Sequence, residues 1–350
     1  MNLESLQRRV REAAASDAPL RLRGGGTKDF YGGEACGELL DLGGYTGVVS
    51  YEPTELVVSA RCGTRLSELE TLLEKNRQCL PFEPPHFGAQ ATLGGCIAAG
   101  LSGPRRASAG AVRDFVLGTK LIDGRGRVLS FGGQVMKNVA GYDVSRLLAG
   151  SLGTLGIIAE VSLKILPRPQ AEATLRLPMH ERQTLDSFNR WSAQPLPISA
   201  TAWNDGVATV RLSGAESALR AAREMLGGEL IADASGFWTA IREQTDPFFS
   251  GPERLWRLSV PSTTASLGLP GRQLVEWAGA LRWLKSDAEP RVIREAAHRA
   301  KGHATLFRAQ DKSCGVFSPL EPVLMRLHRD LKAAFDPARI FNPGRLYPEL

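Results

Sequence analysis

Residues 84–169 hold four glycine-rich turns, alternating with apolar strands and one short helix. They read PPHFGAQATLGGCIAAGLSGPRRASAGAVRDFVLGTK and, after a short strand pair, MKNVAGYDVSRLLAGSLGTLGIIAEVSLKILPRP. A fifth turn, Arg23-Gly24-Gly25-Gly26-Thr27, follows the apolar segment Leu20–Leu22. Each glycine costs backbone entropy on folding. Such a concentration is expected where main-chain N–H groups must approach a ligand closely, above all a pyrophosphate. The chemistry implied is the binding of a dinucleotide along the first half of the chain. Gly24, Gly25 and Gly26 can expose consecutive N–H groups to phosphate, with Arg23 or Lys28 adding a countercharge.

The elements that position these turns are short. Leu20–Arg23, Glu38–Leu42, Gly47–Tyr51 and Leu56–Ala60 read as strands bounded by glycine or proline. Leu66–Lys75 has helical spacing, and Ala91–Leu101 is a small, buried helical turn. Asp114–Ile122 and Arg127–Phe131 form a hairpin around Asp123-Gly124-Arg125-Gly126. Val144–Leu148 is a short helix and Ile157–Leu166 a long strand. Pro167 and Pro169 mark a boundary, beyond which glycine thins out and five of the six tryptophans follow Trp191. There, Ser199–Leu212 is a hairpin, Glu216–Leu226 and Arg294–Ala300 are helices, and Leu255–Val260 and Ala304–Arg308 are strands. One antiparallel sheet with helices on a single face is expected. Ser318-Pro319-Leu320-Glu321 resembles a capping box, and Leu324, Leu327, Leu331 and Phe335 form the stripe that the last helix should bury.

At 350 residues the chain can hold two domains. Its net charge of +6 is modest and its arginines are dispersed, which favours a solubilising surface over nucleic-acid binding. The five cysteines show no C-x-x-C pairing, which argues against a disulfide framework or iron–sulfur cluster and for a reducing compartment. Leu3, Leu6 and Val10 make the N-terminus an amphipathic helix, not a signal peptide, and no apolar run approaches the ~20 residues of a membrane span. Two dinucleotide signatures are excluded. No lysine follows a glycine in the P-loop frame, and both Gly-x-Gly triplets lack the third glycine of a Rossmann turn, having Asp29 and Leu129 there.

RGGGT at 23–27, ATLGG at 91–95, Arg113-Asp114, KNVAGYD at 137–143, GSLGTLGII at 150–158 and FNPGRL at 341–346 together resemble the vanillyl-alcohol-oxidase, or PCMH, type of FAD-binding fold. KNVAGYD and the C-terminal FDPxxIFNPGR are most similar to the FAD-binding subunits of bacterial glycolate oxidases. The resemblance runs from about residue 20 to 168 and again from 321 to 350. It implies an α+β chain: a two-part FAD-binding domain at 1–168, a smaller antiparallel-sheet and helix cap at 169–320, and a C-terminal helix and tail at 321–350 returning to the FAD domain.

By the same resemblance, Arg23 to Thr27 wrap the FAD pyrophosphate, with Lys28 beside them as a countercharge; an αL-rich strand-to-strand turn is the alternative. Thr92, Gly94 and Gly95 pack under the flavin side, with Gly100 and Ser102 near them; a close helix crossing is the alternative. Gly153, Gly156, Ile157 and Ile158 meet the adenosine end, and Ser108, Gly110 and Asp114 are further contacts. Asn342 contacts the cofactor or simply forms the turn before Pro343. Lys137 and Tyr142 face the isoalloxazine or the domain interface, or are structural polar residues. Relatives that bind flavin covalently use a histidine in the first loop; Thr27 and Lys28 stand here, so FAD is expected to be non-covalent. Gly25→Glu is expected to abolish FAD retention in a protein that still folds.

Hydroxy-acid oxidation also needs a base and a cation for the carboxylate. Relatives carry H-x-G-D-G-N-x-H in the second domain. The nearest stretch here, Gly302 to Arg308, lacks the aspartate and the second histidine, so no metal site is expected. His303 reads as a strand-edge residue, His180, His298 and His328 as solvent-facing, and His86 sits beside the flavin loop. No catalytic residue is assigned. The resemblance therefore implies an FAD-carrying subunit that works on a small 2-hydroxy acid, glycolate or D-lactate, with a larger FAD-containing catalytic subunit and an iron–sulfur subunit that feeds quinone. Competing readings are a self-sufficient dehydrogenase using His303 or Arg308, and a scaffold that has lost its flavin. A cytoplasmic protein is expected, held at the inner face of the membrane only through its complex. Trp238, Trp256, Trp277 and Trp283 are core residues or interface anchors.

Overall fold

The computed structural model describes residues 1–133 and 143–350. Lys137, Tyr142 and most of the KNVAGYD segment lie outside the described residues. An antiparallel five-stranded sheet runs in the order Val48–Glu52, Val57–Arg61, Ile157–Lys164, Val116–Ile122, Val128–Gly132. On one side Ile158, Val161 and Leu163 pack with the helices Leu66–Glu74 and Leu93–Ala99. On the other, Ile157 and Ala159 meet Leu6 and Val10 of the first helix, Leu3–Ala15. Asn2 caps that helix reciprocally with Ser5, which fixes where it starts.

Leu20–Arg23 pairs in parallel with Glu38–Asp41, and Leu20 also bridges Phe341. The tail thus lies on the strand that delivers the first glycine turn. Asp114 differs from expectation: it belongs to the helical turn Val112–Phe115, because its carboxylate accepts the Ala111 N–H at 2.8 Å and caps that turn.

Residues 171–308 build a second sheet of eight antiparallel strands. The helices Glu181–Ser192, Glu216–Leu226 and Pro290–Arg299 pack on one face. The expectation that all helices share this face needs correction. Ser235–Glu243 lies opposite, where Trp238 packs on Ala200 and Ala202 and donates to Thr174 Oγ1 at 3.0 Å. The same face carries Leu274, Leu281, Trp283 and Phe307, which join Tyr31, Ala99, Leu101 and Leu152 in one core between the two sheets. Trp238, Trp256, Trp277 and Trp283 are all buried, which settles their role as core.

The last helix, Pro322–Phe335, departs twice from its expected form. Its N-cap, Glu321, makes no side-chain cap bond, and Ser318 instead bonds the backbone of Ala304. Leu324 and Leu327 are 46% and 51% exposed, so the apolar stripe is buried only toward Leu331 and Phe335, which pack in part against the first core. The helix is held by a polar anchor instead. Lys332 and Asp336, 2% and 0% exposed, form a buried ion pair at 2.8 Å. Lys332 Nζ also donates to Thr154 O and Phe341 O, while Asp336 accepts from the backbones of Ile340 and Phe341.

Candidate functional site

A groove runs between the first glycine turn, the helix Leu93–Ala99, the loop at 152–156 and the C-terminal tail. At its head the chain leaves Leu20–Arg23 and turns sharply; Gly26 takes φ +71°, in the left-handed region. The N–H groups of Gly24, Gly25, Gly26, Thr27 and Lys28 have no protein partner among the described residues. Five consecutive half-buried donors left open are costly unless a ligand or water takes them. Arg23 pairs with Asp29 at 2.9 Å across the turn. Lys28 reaches His86 O at 3.2 Å, and burial lowers its pKa. The head of the groove therefore offers open amide donors and two cations, which fits a pyrophosphate.

The glycines do different work. A Cβ on Gly24 would stand 2.3 Å from Thr92 Oγ1, and on Gly94 2.6 Å from Cys62 Cβ, so both are demanded by close packing. At Gly25 a Cβ would sit 1.5 Å from Gln90 O. The expectation that Gly25→Glu leaves the fold intact is therefore corrected, since the backbone of Gln90 and Ala91 occupies that space. Even Gly25→Ala should lower stability by roughly 1–3 kcal/mol along with flavin retention. An unchanged melting temperature for Gly25→Ala would contradict this contact. Gly95 is the exception: a Cβ there meets only Thr92 Oγ1, at 3.2 Å, and otherwise faces the groove.

Of the residues singled out from sequence, Arg23 to Lys28, Thr92, Gly94, Gly95, Gly153, Gly156, Ile158 and Asn342 line this groove. Ile157 points away, fully buried against the first helix. Gly100 caps the helix Leu93–Ala99 at φ +66° and crosses Gly150 closely. Ser102 Oγ accepts the Val112 N–H, and Ser108 Oγ donates to Ser199 O. Gly110 and Asp114 shape the turn before Val116. These last residues lie outside the groove. Asn342 lines it while bracing its walls: Oδ1 accepts from Leu22 N at 2.7 Å and Nδ2 donates to Leu152 O at 2.6 Å.

Sequence reasoning missed the apolar walls, Leu22, Leu42, Ala98 and Leu152, and Cys62, whose thiol burial pushes up to about 12. Arg345, which ties Gly33, Lys28 and Asp29 to the tail, was legible only as part of the FNPGR segment. The cleft of about 540 Å³ lined by Glu83, Arg105 and Glu172 lies elsewhere, and there Arg105 pairs with both acids.

His180 caps a helix and His298 and His303 are exposed, whereas His86 contacts Glu70 at 3.2 Å. Glu276 is the unusual acid: burial pushes it up to about 7, against the pull of the Trp283 N–H and Arg257. Arg242, on the helix Ser235–Glu243, also faces its pocket, and Glu83 acts on it from farther away. A carboxyl raised from 4.5 to about 7 adds stability that is full below 4.5 and disappears as pH climbs through 7. Glu276→Gln should flatten melting temperature against pH across that window; a slope unchanged by the substitution would contradict the assignment.

A model of the FAD binding domain matches residues 2–132, and one of the C-terminal domain of FAD linked oxidases matches residues 312–346. The solved structure of an alkyldihydroxyacetonephosphate synthase superposes with a TM-score of 0.69 at 15% identity, covering 98% of this chain and 76% of that one. Fold and groove thus define an FAD-linked oxidase, with FAD as its cofactor. The chain is 50% identical over 347 residues to the Escherichia coli glycolate oxidase subunit GlcE, covering 99% of itself and 98% of that protein. It belongs to that subunit family, whose members are FAD-dependent oxidoreductases of hydroxy acids acting within a complex. An Archaeoglobus fulgidus D-lactate dehydrogenase is 32% identical over 183 residues, 51% of this chain and 40% of that protein. The Bacillus subtilis glycolate oxidase subunit GlcD is 40% identical over 96 residues, 27% and 20% of the two chains. Among the described residues no helix is long and apolar enough to cross a membrane.

Proposed function

We propose that this chain is the FAD-binding subunit of an assembly that oxidises glycolate to glyoxylate, and D-lactate to pyruvate. The observation that carries the reading is the 50% identity, end to end, with a glycolate oxidase subunit. FAD, held non-covalently, supplies hydride acceptance and electron transfer. The open amides of Gly24 to Lys28 bind its phosphates, Lys28 and Arg23 balance their charge, and Leu22, Leu42 and Leu152 keep water from the groove. Gly153, Gly156 and Ile158, which line the far end of the groove, serve the adenosine end. The chain divides functionally at residues 168 and 320, with the cap between them and the tail closing the groove.

Electrons leave through a larger FAD-containing catalytic subunit and an iron–sulfur subunit toward quinone, which would place the complex in the cytoplasm against the inner face of the membrane. Co-expression with those two partners tests this. Co-purification, and glycolate:dye turnover at least about tenfold above that of the isolated chain, is expected. Equal turnover by the isolated chain would favour a self-sufficient dehydrogenase, and a folded chain that never takes up flavin would favour a scaffold.

A further inference from the structure

Beyond the turn that follows the helix Leu93–Ala99, a second, smaller pocket is walled by both sheets. Phe87, Leu101 and Ser102 come from the glycine-turn half; Arg257, Glu276 and Trp283 come from one face of the eight-stranded sheet. The pocket adjoins the groove, since Ala99 lines the groove two residues before Leu101, and Lys28 Nζ lies 5.4 Å from the centre of the Phe87 ring. It has room for only a few heavy atoms.

Three of its side chains carry unused hydrogen-bonding capacity, one of them Gln244, whose buried Oε1 has no partner among the described residues. Arg257 lies over the Trp277 ring at 5.3 Å, and its guanidinium has no hydrogen-bond acceptor or ion-pair partner among the described residues. Glu276 is 4% exposed; one carboxyl oxygen accepts the Trp283 indole N–H at 2.7 Å, and the other has no protein partner among the described residues. An open guanidinium matches a carboxylate, and a carboxyl oxygen beside it matches a hydroxyl. The apolar walls exclude larger polar molecules and strengthen both contacts.

We propose that this pocket binds a small 2-hydroxy acid, its carboxylate on Arg257 and its hydroxyl on Glu276. This rests on the hydroxy-acid reading above and gives that reading a place in the chain independent of the missing histidine motif. The charged and titratable groups around Glu276 are Arg257 on the same sheet face, Arg242 from the helix Ser235–Glu243, Tyr31 beside Arg257, and the more distant Glu83. Burial keeps Glu276 largely protonated below about pH 7, so a bound carboxylate meets little like-charge repulsion there. Affinity should fall as pH rises above that value.

The test is calorimetric titration of the FAD-loaded chain with glycolate, D-lactate and glycolamide, flavin absorbance being read on the same samples. Saturable binding of both acids is expected, with neutral glycolamide at least about tenfold weaker. Arg257→Gln should weaken glycolate at least about tenfold at unchanged flavin content, Arg257→Lys should restore part of it, and Glu276→Gln should remove the pH dependence. Equal affinity for glycolate and glycolamide, or glycolate affinity untouched by Arg257→Gln, would overturn the proposal; so would flavin retained with no glycolate bound. Glycolate bound without flavin would instead count against the cofactor groove and leave this pocket standing.

Discussion

Lys332→Met should lower the unfolding free energy by about 3–5 kcal/mol, the cost of removing one partner from a buried ion pair. Methionine fills nearly the same volume, so the loss would not be one of packing. Three acceptors lose their donor at once: Thr154 O in the groove loop, Phe341 O in the tail, and the Asp336 carboxylate, which is fully buried. Asp336 would keep only the N–H groups of Ile340 and Phe341. Because Lys332 ties the 152–156 loop to the tail, flavin affinity should fall with stability. Adding Asp336→Asn should recover part of the loss, since it removes the stranded charge. Chemical denaturation of the wild-type chain and the two variants measures this, and a loss below about 1 kcal/mol for Lys332→Met would mean that the pair is not buried in solution.

Gly95→Leu should do the opposite: remove flavin and spare the fold. The residue is helical, and leucine is favoured over glycine there by roughly 0.8 kcal/mol. Its Cβ meets only Thr92 Oγ1, at 3.2 Å, so a small adjustment of one side chain accommodates it. The rest of the leucine projects into the groove, where overpacking costs about 1–3 kcal/mol, a roughly 5- to 150-fold weakening of FAD. Melting temperature without cofactor, read beside FAD affinity, separates the two effects. Unaltered FAD affinity in Gly95→Leu would place the cofactor somewhere other than beside this helix.

The glycine turns were legible because a positive φ or a close approach leaves a mark on the sequence. Gly26 and Gly100 are left-handed, and Gly24, Gly25 and Gly94 touch other chain segments directly. Short strands with local partners were legible too, and the helix Glu216–Leu226 has the limits read from its spacing. Periodicity gave the last helix an apolar stripe but could not say what covers it, and Leu324 and Leu327 stand exposed. The polar anchor at Lys332 was invisible, because a lysine and an aspartate four residues apart read as an ordinary surface pair. Arg257 and Glu276 were hidden for a different reason. They meet only through the pairing of three strands and the packing of one sheet against a distant loop, contacts that no local pattern encodes.

The most direct test is an equilibrium titration of the purified, flavin-stripped chain with FAD, followed by quenching of flavin fluorescence, with Gly95→Leu in parallel. Stoichiometric, reversible binding by the wild-type chain, weakened at least about fivefold in the variant, is the predicted result. A folded wild-type chain that leaves FAD free in solution would contradict a groove built on the open amides of Gly24 to Lys28.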